Sequence, residues 1–235
     1  MDYENYQLSF FNESGENKAY LTEQIITYIG NKRALLSFIG KAIDIVKEKL
    51  TKNKLDIVDI FSGSGVVSRF FKQHSKKLFS NDLENYCKTI NNCYLSNKSE
   101  IDFKKLTANF LEIKRCLDSE PLKKGFISKL YAPEDDLNIQ KGERVFFTTR
   151  NANYIDTARQ LIETTSEPYK TLLLYGSDVV SIVHNNTSGV FKGFYKNSKT
   201  GIGQYGGDGK NALHRIMSDI QIKLPIFSNF ECETT

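Results

Sequence analysis

"KLDIVDIFSGSGVVSRFF", residues 54–71, decides how this chain is read. Its first half is a short apolar run, bounded by charge before and glycine after, which is strand character. The run enters F-S-G-S-G, where Gly63 and Gly65 let the backbone turn tightly and approach a ligand with no Cβ in the way. "GVVSRFFKQHS" then reads as a helix, whose first turn presents unpaired N–H groups and a positive end. Downstream, "KKLFSNDLE" is the next strand and "NYCKTINNCYLSN" the next helix. Upstream, "YIGNKRALLSFIGKAIDIVKEKL" spaces Leu35, Leu36, Ile39, Ala42, Ile43 and Val46 by threes and fours, a helix. This β-α-β-α order predicts an α/β fold with a mostly parallel sheet and helices on its faces.

The chain has 235 residues, 40% hydrophobic and 12% aromatic, enough for a packed core and against a disordered chain. Its net charge of +4 permits a nucleic-acid partner without demanding one. Cys87, Cys93, Cys116 and Cys232 form no C-x-x-C pair and no zinc-ligand spacing, so no metal is expected and the thiols read as reduced and mostly structural. "MDYENYQLSF" shows no signal peptide, and no apolar run reaches the roughly 18 residues of a membrane span. A soluble cytoplasmic protein is expected. Residues 1–20 read as a polar arm. Past about residue 117 the pattern changes: a helix-poor stretch leads into the helical "NANYIDTARQLIE", an apolar segment around "LLLYGSDVVSIV", and a glycine-, lysine- and tyrosine-rich loop or hairpin. "ALHRIMSDIQIKLPIF" reads as a helix and a strand start. The expected division is 20–117, an insertion at 118–222, and a return strand within 223–235, rejoining the sheet near Ile226.

Asp82, in "FSNDLE", falls where dinucleotide enzymes keep the acid that binds ribose hydroxyls. The third glycine of that fingerprint is absent, since position 68 is serine. Asp59 stands beside the turn, where it repels a pyrophosphate but suits a ligand carrying an ammonium group. S-adenosylmethionine carries one, together with a sulfonium, and the balance tilts from a nicotinamide cofactor to the methyl donor. A plain strand–helix turn, with Asp82 capping a helix, stays open on these residues alone.

Together, "YIGNKRALLSFI", "DIFSGSG" and "NDLE", in this order, resemble the D12 class of adenine-specific DNA methyltransferases, the Dam-like family. The resemblance runs from about residue 20 to the end. It implies a Rossmann-like, S-adenosylmethionine-dependent methyltransferase sheet with an inserted target-recognition region. It further implies that Tyr28, Gly30 and Lys32, then Asp59, Phe61, Gly63 and Gly65, then Asp82 and Leu83 line the donor site. Lys32 would meet the methionine carboxylate and Asp82 the ribose. Double-stranded DNA is the implied substrate, and a cognate restriction endonuclease an implied companion. One departure matters. The family works with a D-P-P-Y tetrapeptide, and the prolines here, Pro121, Pro133, Pro168 and Pro225, are never adjacent. In the family's order the tetrapeptide would follow the insertion, beyond Thr235. The sheet is therefore expected to be incomplete at the C-terminus, with no catalytic residue in this chain. A non-catalytic fragment, or one subunit of a split enzyme whose second polypeptide carries the tetrapeptide, is the alternative.

Within the insertion, Lys192, Lys196, Lys199, Lys210 and Arg215 interleave with Phe191, Phe194, Tyr195 and Tyr205. Basic and aromatic residues on a glycine-rich loop suit phosphate contacts and stacking on a displaced base. Asn185 and Asn186 carry amides able to read adenine edges, and Arg144 and Arg150 flank "VFFTT" within reach of phosphates. Solvated lysines and core aromatics are the plainer reading. The expected DNA contacts are Arg150, Asn185, Asn186, Lys192, Tyr195, Lys196 and Lys199.

Overall fold

A computed structural model describes residues 15–26, 30, 32–174, 184–187, 193–207 and 211–235. They fall into two compact units, one holding residues up to Phe103 together with Pro225–Thr235, the other Lys104–Leu224.

In the first unit a short helix α1 (Lys18–Thr22) and a 3₁₀ turn (Arg33–Leu35) precede α2 (Leu36–Leu50). Helix α2 ends at Thr51, whose left-handed backbone lets its N–H reach the Glu48 carbonyl. Strand β1 (Leu55–Asp59) leads through the glycine turn into α3 (Val66–Lys72), then β2 (Ser75–Ser80) and α4 (Asn85–Tyr94). The third strand, β3 (Glu233–Thr234), comes from the far end of the chain. The sheet is parallel, in the order β1-β2-β3, with Val58 opposite Phe79 and Leu78 opposite Thr234. Leu55, Ile57, Leu78, Leu95 and Cys232 form its core, with Ile43 of α2 and Phe71 of α3 packed against them.

The mixed α/β architecture and parallel strands follow the sequence pattern. Three details do not. Residues 15–21 are not an arm: Glu16, Tyr20 and Leu21 are buried, and the Glu16 carboxylate accepts from the Ser228 hydroxyl and the Asn229 N–H. Arg69 explains why. Buried on α3, it donates to the carbonyls of Tyr20, Glu23 and Gln24 at 2.8–3.0 Å and stacks on the Tyr94 ring. Second, α2 turns a narrower stripe inward than its spacing promised. Leu36 and Gly40 are buried and Ile43 touches the core, but Leu35, Ala42 and Val46 are exposed. Third, the chain does not pair near Ile226; the strand forms only at Glu233–Thr234. Asn97 steers that last approach, donating to the Cys232 carbonyl at 2.9 Å while its side-chain oxygen accepts from the Cys232 N–H.

Helix α5 (Phe103–Ser119) begins at the boundary and buries Leu106, Ile113 and Leu117, a spacing the sequence reading passed over. The second unit continues with α6 (Phe126–Tyr131), α7 (Thr149–Glu163), a helical stretch at 169–174, and α8 (Ala212–Met217). Thr148 caps α7, its hydroxyl accepting from the Asn151 N–H. On the buried side of α7, Asp156 accepts from the backbone N–H groups of Gly125, Ile127 and Ser128 at 2.8–2.9 Å, capping α6 from a distance. Asn151 likewise ties α7 to the chain after α8, through Ser218 and Ile220. No helix of the described residues is long and apolar enough to cross a membrane.

Candidate functional site

The loops that follow β1 and β2 meet at the carboxyl ends of the strands, where open α/β sheets place their ligands. After Asp59 the backbone turns through Gly63 (φ +51°) and Gly65 (φ +74°), and the Gly65 N–H closes the turn on the Ser62 carbonyl at 2.8 Å. Gly65 needs to be glycine twice over. A Cβ there would stand 3.0 Å from Asn91 Oδ1 and 3.2 Å from Ile90 Cγ2, in a left-handed conformation.

Asp82 joins the two loops. Its Oδ2 accepts from the Gly63 N–H at 2.8 Å and its Oδ1 from the Glu84 N–H at 3.1 Å. Desolvation pushes this carboxyl up, but the Glu84 and Gly63 N–H donors outweigh it and hold it below the usual aspartate range. Asp82 is thus an anion fixed by donors from both loops. Phe61 and Leu83, one in each of these loops, stand 86% and 94% exposed. Asp59 lies deeper. Burial raises its pKa, the Ser68 hydroxyl donates to its Oδ2 at 2.6 Å, and Ser68 also meets the Ser80 hydroxyl at 2.9 Å. Asn91, which the sequence reading missed, donates to the Ser62 hydroxyl at 2.7 Å, while its own Oδ1 is buried without a partner. Only its inward position on α4, one residue from Ile90, hinted at a role.

The structure therefore brings Gly63, Gly65 and Asp82 together, with Phe61, Leu83 and Asp59 around them. Lys32 is exposed, and its ammonium donates to the Gly30 carbonyl at 2.5 Å rather than to the turn. Tyr28 lies outside the described residues. A cavity of about 360 Å³ opens beside Asp82, lined by Ser80, Asn81, Lys88, Asn91 and Thr234; it reaches the acid but not Gly63.

In the second unit, Lys196 and Gly203 form an antiparallel bridge, and Asn197 and Gly201 close the turn between them. Lys196 and Lys199 are exposed on this hairpin, with Lys196 over the Phe194 ring at 5.1 Å. Asn186 is a correction: fully buried, it donates to the Val145 and Gln204 carbonyls at 2.7 and 2.9 Å, stapling the hairpin's base, so no part of its amide faces a ligand. Asn185 and Tyr195 are half-buried, with the Asn185 carbonyl held by Arg215. Arg150 is exposed but paired with Asp219 at 2.8 Å. Phe194 packs edge-on against Phe146, and the Tyr205 hydroxyl donates to Asp136, so both belong to the packed base of the hairpin. Lys192, Phe191 and Lys210 lie outside the described residues.

The profile of the D12 class of N6 adenine-specific DNA methyltransferases matches residues 28–205, which include the glycine turn, Asp82 and the hairpin. The chain belongs to that class. Among its relatives are the type II methyltransferase M.NlaIII of Neisseria lactamica, 30% identical over 184 residues, and M.CviAII of Paramecium bursaria Chlorella virus 1, 29% identical over 186. Each alignment covers 74% of this chain and 50% of the relative. The modification methylase StsI of Streptococcus sanguinis is 26% identical over 181 residues, covering 72% of this chain and 26% of that protein. This D12 chain thus spans about half the length of the first two relatives. No solved structure matches it.

Proposed function

We propose that this chain is the donor-binding and target-recognition part of a site-specific adenine-N6 DNA methyltransferase of a restriction-modification system. S-adenosylmethionine fits the loops after β1 and β2. Asp82, ionised where the two loops join, takes the ribose hydroxyls. Phe61 and Leu83 give apolar faces to the adenine ring, and the Gly63–Gly65 backbone leaves room for the donor's close approach. Asp59 supplies negative charge toward the ammonium end, and Lys32, with Tyr28 and Gly30, belongs to the segment expected to meet the carboxylate. When bound, the donor supplies an electrophilic methyl on sulfur; the contribution of this chain is to fix that methyl in place.

The second unit offers DNA its exposed hairpin. Lys196 and Lys199 suit phosphate oxygens, and Tyr195, Asn185, Arg150 and Lys192 complete the proposed contact set. Adenine N6 is a poor nucleophile inside a stacked duplex, so the base must leave the stack before it reacts. The groups that would activate N6 are absent from these 235 residues, which contain no adjacent prolines. The isolated chain then binds donor and DNA and transfers nothing by itself; as a subunit of a split enzyme it works with a second polypeptide.

The observation that carries this reading is the Asp82 carboxylate seated on the Gly63 N–H at 2.8 Å, in two loops that also expose Phe61 and Leu83. Calorimetric titration with S-adenosylhomocysteine tests it. Binding is expected, at least ten-fold weaker in Leu83→Ser and Asp82→Ala, while NAD gives no heat. A chain that prefers NAD, or whose affinity ignores both substitutions, is not using this site.

A further inference from the structure

Within the second unit a cleft of about 340 Å³ opens beside the base of the hairpin, where Thr187 bridges to Phe194. Arg215 of α8, Asn211, Thr187 and Tyr195 line it, together with the backbone of Gly206 and Gly207. Among the described residues Arg215 is the one charged side chain in that lining, and no carboxylate shares it. Asp208 and Lys210, which follow with opposite charges, lie outside the described residues. The Arg215 Nη1 donates to the Asn185 carbonyl at 3.0 Å, which pins the guanidinium in place. One pinned cation among two hydroxyls and an amide suits an anion that presents several oxygens.

The two glycines differ. Gly207 has a packing reason, since a Cβ there would stand 3.0 Å from the Ala212 Cβ and 3.4 Å from the Tyr195 ring. Gly206 has none. Its φ lies outside the left-handed region, and a Cβ would meet nothing within 4 Å. Its backbone is nevertheless held, the N–H donating to the Asn186 Oδ1 at 3.3 Å. A bare, fixed stretch of chain that neither a bend nor a neighbour requires is the mark of a surface that something else approaches closely.

We infer that this cleft seats one phosphate of the DNA backbone. Arg215 supplies the charge, the Tyr195 and Thr187 hydroxyls and the Asn211 amide supply hydrogen bonds, and the bare Gly206 lets the sugar–phosphate chain come down onto the protein. The inference rests on the DNA reading of the second unit proposed above, and it adds a pinned cation to the exposed lysines of the hairpin. A contact of this kind fixes the position of the duplex and carries no base preference. A base seated in the same cleft would instead change which sequence is preferred.

Gly206 provides the test, because a side chain there enters open space and leaves the Arg215 hydrogen bond alone. Gly206→Glu and Gly206→Lys are compared by fluorescence anisotropy on three duplexes of unrelated sequence. Both should melt with the wild-type chain. Glutamate should weaken binding at least ten-fold, by the same factor on all three duplexes, while lysine binds as tightly as wild type or tighter. Arg215→Gln, an independent variant, should lower the salt slope by about 0.9, the share of one phosphate. Equal losses from both signs of charge, early melting of either Gly206 variant, an unchanged salt slope, or a loss confined to one duplex would each overturn the inference. If Lys196→Glu and Lys199→Glu weaken binding while Gly206→Glu does not, the cleft is rejected and the DNA reading of the second unit stands. A wild-type chain that binds no duplex rejects both.

Discussion

Gly65 is the residue whose replacement the structure constrains most. Alanine there must take φ +74° and push on Asn91, whose Oδ1 already lacks a partner. Gly65→Ala should therefore cost about 1–3 kcal/mol, read as a lower urea midpoint with an unchanged slope. His74 makes a second prediction. Half-buried, and facing Lys47 at 2.9 Å with Lys54 also near, its imidazole is held at about 4, first by desolvation and then by those two cations. A histidine depressed on folding stabilises the native state above its unfolded value near 6.5. That contribution drains away as pH falls from there through about 4. Denaturation between pH 7 and 4 should lose on the order of 1–2 kcal/mol through this group, allowing for partial solvent screening. His74→Gln should flatten the slope. A variant with the wild-type pH profile would show that other groups carry it.

At the scale of elements, the hairpin at 196–203 is where the second unit presents charge. Its base is fixed by Asn186, by Phe194 on Phe146, and by Gly203, where a Cβ would stand 2.3 Å from Val145. Its lysines are exposed on a rigid support. Replacing Lys196 and Lys199 by glutamate should weaken duplex binding and lower the salt slope by about 0.9 for each lost phosphate contact. Fluorescence anisotropy across a salt series reads this directly, and an unchanged slope removes the hairpin from the interface. Asn186→Ala should instead destabilise the fold by about 1–3 kcal/mol, because two buried carbonyls lose their donor. The sequence showed the lysines and the asparagine pair equally plainly. It could not show that one asparagine points inward, since that depends on which carbonyls the fold brings beside it.

For the whole molecule, two compact units predict two unfolding transitions in calorimetry. If the donor sits on the β1 and β2 loops, saturating S-adenosylhomocysteine should raise one transition by the linkage free energy, about 2.7 kcal/mol at a hundred-fold excess over Kd. The other should stay within error. A uniform shift of both would place the ligand, or the cooperativity, elsewhere.

The sequence by itself determined the α/β class, the strand–turn–helix at 54–71 and the acid at position 82, because each is a local matter of periodicity, backbone freedom and short spacing. It also identified the family, since three short motifs in one order are specific without coordinates. Only the tertiary structure decided which side of α2 is buried, that Arg69 holds the Tyr20, Glu23 and Gln24 carbonyls, that β3 waits until Glu233, and that Asp82 sits on the Gly63 N–H. Those outcomes depend on partners 19 to more than 200 residues away in the chain. A hydrogen bond across such a distance leaves no period or composition for a sequence to display.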